Sequence, residues 1–150
     1  MRLVDSELGT DSVFWTDPDA FKIPKNFQVY VYVSKSPKFQ AIGCAIVEIL
    51  SAKYCSDNQI YLRKCTSATD YGLEAVDWPS GFSRLLGIRR IWVAKPFRRF
   101  NIATSLLDSA RLKACLDKNI TKDEVVFAEP TEDGVNFAKS YLNTQTLLVY

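Results

Sequence analysis

The chain has 150 residues, 19 Lys and Arg against 17 Asp and Glu, a net charge of +2, four cysteines and no histidine. That length suits one domain able to bury roughly two-thirds of its unfolded surface. No apolar run approaches the ~20 residues of a membrane span, and a net charge this small excludes a generally basic nucleic-acid binder.

The first residues, Met1-Arg2-Leu3-Val4-Asp5, lack the apolar stretch of a secretory signal. Phe27 to Val33 alternates apolar and polar with period two, which predicts a strand with one face on the core. Ser34-Lys35-Ser36-Pro37-Lys38 is turn chemistry. Gln40 to Leu50 is almost wholly apolar and predicts a central strand, paired with the first as a hairpin. Gly43 inside it marks a bulge or a close backbone approach. From Ser51 to Ser83 only Ile60-Tyr61-Leu62 suggests a short strand, and the remainder reads as a long connection.

A strand is expected over Leu86 to Ala94, then a helix over about Arg99 to Asp117. Leu106, Leu107, Ala110 and Ala114 form the apolar stripe of that helix. Glu124 to Ala128 reads as a short buried strand. Thr131 is a good N-cap for a second helix with Glu132 and Asp133 in its first turn and Val135, Ala138 and Leu142 on its apolar side. Leu147 to Tyr150 closes the order as a strand. Hairpin, connection, then strand, helix, strand, helix, strand implies an α/β fold with a mixed sheet flanked by helices.

Cys44, Cys55, Cys65 and Cys115 contain no Cys-x-x-Cys pair, so no metal site is expected. Cys44 and Cys115 read as buried, reduced thiols of a reducing compartment. Without histidine, Ser-His and Cys-His nucleophilic machinery is excluded, and any base is a carboxylate, tyrosine, cysteine or water.

The most informative stretch is Gly87 to Leu107. An apolar strand feeds a turn with Arg89, Arg90, Lys95, Arg98 and Arg99 and no acid, and the turn opens into a helix. Unpaired N–H groups at a helix start, flanked by cations, favour an anion. The spacing Arg98-x-x-Asn101-x-Ala103 resembles the pyrophosphate-binding signature of Gcn5-related N-acetyltransferases, with Asn101 where glycine is usual. Taken without that resemblance, the basic turn fits a nucleic-acid-binding module as well.

Further blocks resemble the cohesin acetyltransferases that establish sister-chromatid cohesion. They are Val4-Asp5-Ser6-Glu7-Leu8-Gly9, Ile42-Gly43-Cys44-Ala45-Ile46-Val47-Glu48, Gly87-Ile88-x-Arg90-Ile91-Trp92-Val93, Phe127-Ala128-Glu129-Pro130-Thr131-Glu132-Asp133-Gly134 and Leu148-Val149-Tyr150. The likeness spans nearly all of the chain outside roughly 54–82. It implies a single Gcn5-related acetyltransferase domain over residues 1–150, the family's N-terminal zinc finger and replication-clamp-binding segment having no counterpart here.

The resemblance further implies a nuclear enzyme that moves acetyl from acetyl-CoA, its co-substrate, to lysine on the SMC ATPase-head subunit of cohesin. Membrane and nucleic-acid partners are not implied. An alternative acceptor is another protein or a small amine. Glu129 stands where relatives often have aspartate and is the candidate base. The cofactor side would be Ile91, Trp92 and Val93 along the pantetheine, Arg98 and Arg99 with the N–H groups of Phe100, Asn101, Ile102, Ala103 and Thr104 on the pyrophosphate, and Thr131, Glu132 and Asp133 at the second helix start. Trp92 also suits a core aromatic, Thr131 to Asp133 suit simple capping, and Tyr141 reads as core. Relatives often have serine where this chain has Arg89, which excludes serine-assisted chemistry at that position.

Overall fold

In the computed structural model, residues 25–150 except Ser36 are described. The block Val4–Gly9 lies outside them. Among the described residues seven strands, β1 (Phe27–Ser34), β2 (Gln40–Leu50), β3 (Leu62–Ser67), β4 (Asp70–Val76), β5 (Leu85–Val93), β6 (Val125–Phe127) and β7 (Leu147–Val149), form one sheet in the order β1-β2-β5-β6-β7-β3-β4. The predicted hairpin is present: β1 (Phe27–Ser34) runs antiparallel to β2 (Gln40–Leu50). As an edge strand β1 uses both faces, Tyr30 packing against the main core and Phe27 and Val29 against a small cluster around Trp92.

β2 pairs in turn with β5 (Leu85–Val93). β5, β6 (Val125–Phe127) and β7 (Leu147–Val149) are parallel neighbours. The helices that connect them are α2 (Ile102–Lys113) and α3 (Glu132–Leu142). Ile102, Leu106, Leu107, Ala110, Val135, Ala138 and Tyr141 share one core cluster with β2 and β5, so both helices cover the same sheet face. Tyr141 is thus core; its hydroxyl donates to Asp108 at 2.6 Å, and burial with that bond pushes its pKa up to about 12.

The expected long connection over 51–83 is instead largely structured. Ser51 caps a short helix, α1 (Ala52–Asp57), its side chain accepting from the Tyr54 amide at 3.1 Å. Then β3 (Leu62–Ser67) and β4 (Asp70–Val76) form a hairpin that joins the sheet through β7. Two register irregularities in that hairpin break the period-two pattern, which is why the sequence concealed it. Cys55, Leu62, Leu85 and Val126 build a second cluster on the face opposite α2 and α3.

The first connecting helix is shorter than the expected 99–117. Arg99 and Asn101 both have positive φ, 68° and 59°, so the chain turns until Ile102. Beyond Lys113 it folds back, with the Ile120 amide donating to the Arg111 carbonyl at 2.9 Å. Glu124 lies not in a strand but at the end of a 3₁₀ turn, closing a capping box with Thr121. All four cysteines are free and buried.

Candidate active site

The site begins where β5 and β6 part. Their ladder runs only from Leu86–Val125 to Ile88–Phe127, and the Ala128 amide closes it on the Ile88 carbonyl at 3.0 Å. Past Ile88, among the described residues, no strand pairs with β5 on the side away from β2. The Ala94 amide bonds the Ile42 carbonyl of β2, so alternation turns the Ile91 and Val93 amides into the opening. Trp92 stands opposite Cys44 of β2 instead, and its ring is buried in the cluster with Cys44 and Ile46. Of the three residues expected along a pantetheine, two address the opening and Trp92 packs.

The turn after β5 is held from below. Arg98 Nε donates to the Val93 carbonyl at 3.0 Å. Asn101 is the N-cap of α2, in the left-handed region, and its side chain makes no capping bond. Its carbonyl accepts from the Ser105 amide, so the amides of Ile102, Ala103 and Thr104 have no partner one turn back. The left-handed φ accounts for Asn101 at a position where glycine is usual, since Asn tolerates that conformation. Ile102 is buried while Phe100 is exposed. Gly43 lets this helix start approach the sheet: a Cβ there would stand 2.7 Å from Ile102 Cγ2. A bulge adjoins it, Ile42 being the extra residue between the pairs Tyr32–Gly43 and Val33–Ala41. The expected bulge is present, and the close approach at Gly43 is made by side chains of α2.

On the opposite sheet face a cavity of about 730 Å³ is lined by Tyr61, Arg63, Arg89, Arg90, Glu129 and Tyr150, among others. Glu129 follows β6 as an exposed residue between buried Ala128 and buried Pro130, with φ of 35°. A non-glycine residue there is strained, by about 1–3 kcal/mol, and such strain gathers at functional sites. Thr131 caps α3, its hydroxyl accepting from the Gly134 amide at 3.3 Å, with Glu132 and Asp133 in the first turn. Capping is observed for Thr131 alone; Glu132 and Asp133 occupy the first turn. Because β5 and β6 are parallel, both helix starts and Glu129 lie at one end of the sheet.

Sequence reasoning missed a buried network beside Glu129. Glu48, 1% exposed on β2, accepts the Tyr150 hydroxyl at 2.8 Å and lies 3.5 Å from Arg89 Nη1. Burial raises the Glu48 pKa, against the lowering effects of Tyr150, Arg89 and Tyr54. Burial also raises the Tyr150 phenol, and the nearby Glu48 charge adds to it. The signal was present: Glu48 is the only charged residue in the apolar run from Gln40 to Leu50. Among the described residues, no group of three His, Cys, Asp or Glu is placed to hold a metal.

Residues 83–150 match the family model described as ESCO1/2 acetyl-transferase. Over 99% of its length the chain is 32% identical to N-acetyltransferase ESCO2 of Danio rerio. It is 28% identical to N-acetyltransferase ECO1 of Yarrowia lipolytica over 96%. It spans 24% and 44% of those two proteins, respectively. Among solved structures it is similar to the xEco2 acetyltransferase domain bound to a K105-CoA conjugate. The TM-score is 0.71 at 29% identity, over 99% of this chain and 79% of that one. The mixed sheet and its helices are those of a Gcn5-related acetyltransferase fold.

Proposed function

Starting from a chain whose residues 83–150 belong to the ESCO1/2 acetyl-transferase family, we propose that it transfers acetyl from acetyl-CoA to a lysine amine on the SMC ATPase-head subunit of cohesin, in the nucleus, and so helps establish cohesion. The observation that carries this reading is the parting of β5 from β6, with an anion cradle at one side and a cavity holding Glu129 at the other.

The residues fit the donor. The amides of Ile102, Ala103 and Thr104, which have no acceptor within α2, would hold a pyrophosphate beside Arg98 and Arg99, and the Ile91 and Val93 amides suit an amide-bearing chain laid along β5. Bound acetyl-CoA would supply an activated thioester.

Glu129 supplies the proton acceptor. A free lysine has a pKa near ~10.4, so at neutral pH few amines are nucleophilic. A carboxylate at the cavity takes the excess proton, directly or through water, an effect worth roughly 10²–10⁴-fold. The Ile91 or Val93 amide would polarise the thioester carbonyl, the C–S bond breaking as the amide bond forms and CoA leaving as its thiolate. Buried Trp92 and Glu48, the latter bonded to half-buried Tyr150, pack beside these groups.

The test incubates the chain with acetyl-CoA and a recombinant SMC head, with acetyl-lysine read by mass spectrometry. Acetylation of the head that is lost in Glu129→Gln is the expected result. Acetylation of other proteins or of small amines, with the head untouched, would remove the head as substrate.

A further inference from the structure

β5 places two consecutive arginines on one face of the sheet. Ile46 pairs with Arg90 and Val47 with Ile88, so Arg89 is an extra residue in the ladder. Strict alternation would send Arg89 and Arg90 to opposite faces. With the bulge, Ile88 and Ile91 both face the main core under α2, and Arg89 and Arg90 both line the cavity. Arg63 of β3 lines it from the other side.

Arg89 and Arg90 are held in place. Arg90 Nη1 donates to the Arg89 carbonyl at 3.0 Å. The Arg89 guanidinium sits 5.8 Å from the Phe27 ring and 5.9 Å from the Tyr150 ring, with its charge partly offset by Glu48. Among the described residues, Arg63 and Arg90 have no acid within 4 Å. Three arginines therefore face one lining carboxylate, Glu129. They are not the pyrophosphate cradle, which lies at the start of α2 on the face covered by the helices.

We propose that Arg63, Arg89 and Arg90 select an acceptor lysine whose neighbouring residues carry carboxylates. This rests on the acetyl-transfer reading above. A lone lysine entering the cavity meets net positive charge, which repels its ammonium. An aspartate or glutamate beside the lysine pairs with Arg63 or Arg90 and offsets that repulsion, leaving the ammonium to Glu129. Half-exposed Tyr61 offers its ring to the aliphatic stem of the lysine.

The experiment compares two peptides of equal length with one central lysine, flanked by Asp in one and by Asn in the other. Binding to the CoA-saturated chain is read by fluorescence anisotropy, and acetylation by kcat/KM. The wild type should favour the Asp peptide on the order of 10-fold, chiefly in KM. In Arg63→Gln/Arg90→Gln that ratio should fall to about one, while the thermal shift given by acetyl-CoA is retained.

Equal affinity of the wild type for both peptides, or binding of neither, overturns the proposal. So does an equal loss for both peptides in the variant, which signals a structural role. Displacement of the Asp peptide by a single-stranded oligonucleotide with steep salt dependence would assign the arginines to nucleic acid instead. If acetyl-CoA gives no thermal shift, the acetyl-transfer reading itself fails. If acetyl-CoA binds and the peptides do not differ, only the charge selection fails.

Discussion

The hydroxyl of Tyr150, the last residue, donates to Glu48 Oε1 at 2.8 Å across 102 positions of sequence. The Tyr150 side chain thus crosses β5 at Gly87 to reach β2. This bond is the shortest of the contacts to Glu48, and a buried carboxylate short of partners is costly. Tyr150→Phe should therefore lower stability by about 1–3 kcal/mol, read as a lower urea midpoint with unchanged slope. A loss below about 0.5 kcal/mol would show that Arg89 and Asn26 satisfy Glu48 on their own.

Gly87 lies against that same tyrosine. A Cβ at Gly87 would stand 2.3 Å from the Tyr150 oxygen and 2.8 Å from Cζ. Gly87→Ala should cost about 1–3 kcal/mol by overpacking. Gly87→Asp adds a buried charge and should abolish folding or acetyl-CoA binding. A soluble, fully active Gly87→Asp protein would refute this placement of β5 against the chain end.

Glu129→Gln keeps size and shape but cannot take a proton. Turnover should fall by roughly 10²–10⁴-fold, with the acetyl-CoA dissociation constant unchanged by calorimetry. Normal turnover would take Glu129 out of the mechanism. A parallel loss of acetyl-CoA affinity would make its role structural.

At the start of α2, acetyl-CoA at 100 times its dissociation constant should add about 2.7 kcal/mol of stability, a shift easily read in a thermal melt. Arg98→Ala should weaken that shift, since Arg98 ties the turn to Val93. Asn101→Gly should be tolerated, because φ is 59° there, while Asn101→Val should cost about 1–2 kcal/mol. Equal behaviour of the two Asn101 variants would argue against the left-handed turn.

Two buried glutamates should give opposite dependence on pH. For Glu124, burial raises the pKa, but its bonds to Lys118 and Thr121 outweigh this and hold it below its ordinary 4.5. Its stabilisation is thus complete above about pH 4.5 and lost as pH falls through the lowered value. For Glu48 burial wins and the pKa is raised. Its cost is complete above the raised value and is relieved as pH falls toward 4.5. Denaturation from pH 7 to 3 should show the deficit of Glu124→Gln shrinking on acidification, and Glu48→Gln comparing best with wild type at neutral pH. Parallel curves for both variants would contradict these environments.

Elements whose local pattern agrees with their burial were legible. β2 is apolar because both its faces are covered, and Thr131, Glu132 and Asp133 announced α3 because capping needs only four adjacent residues. The stripe Leu106, Leu107, Ala110 and Ala114 was readable for the same reason: helix periodicity survives whatever the helix packs against. The hairpin of β3 and β4 was not legible. Its irregular register scrambles alternation, and its stability comes from pairing with β7, more than eighty residues away in sequence.

The sequence by itself determined the strand–helix alternation after Leu85, the basic turn, the start of α3 and Glu129 beside Pro130, because each depends on neighbouring residues. Only the tertiary structure decided which groups share the cavity. One extra residue in β5 sends Arg89 and Arg90 to the same face, and the positive φ of Arg99 delays α2 until Ile102. Folding alone carries Tyr150 to Glu48 and Arg63 toward Glu129. Register and bulges are set by the balance of long-range pairing and packing, and that balance leaves no local mark in the chain.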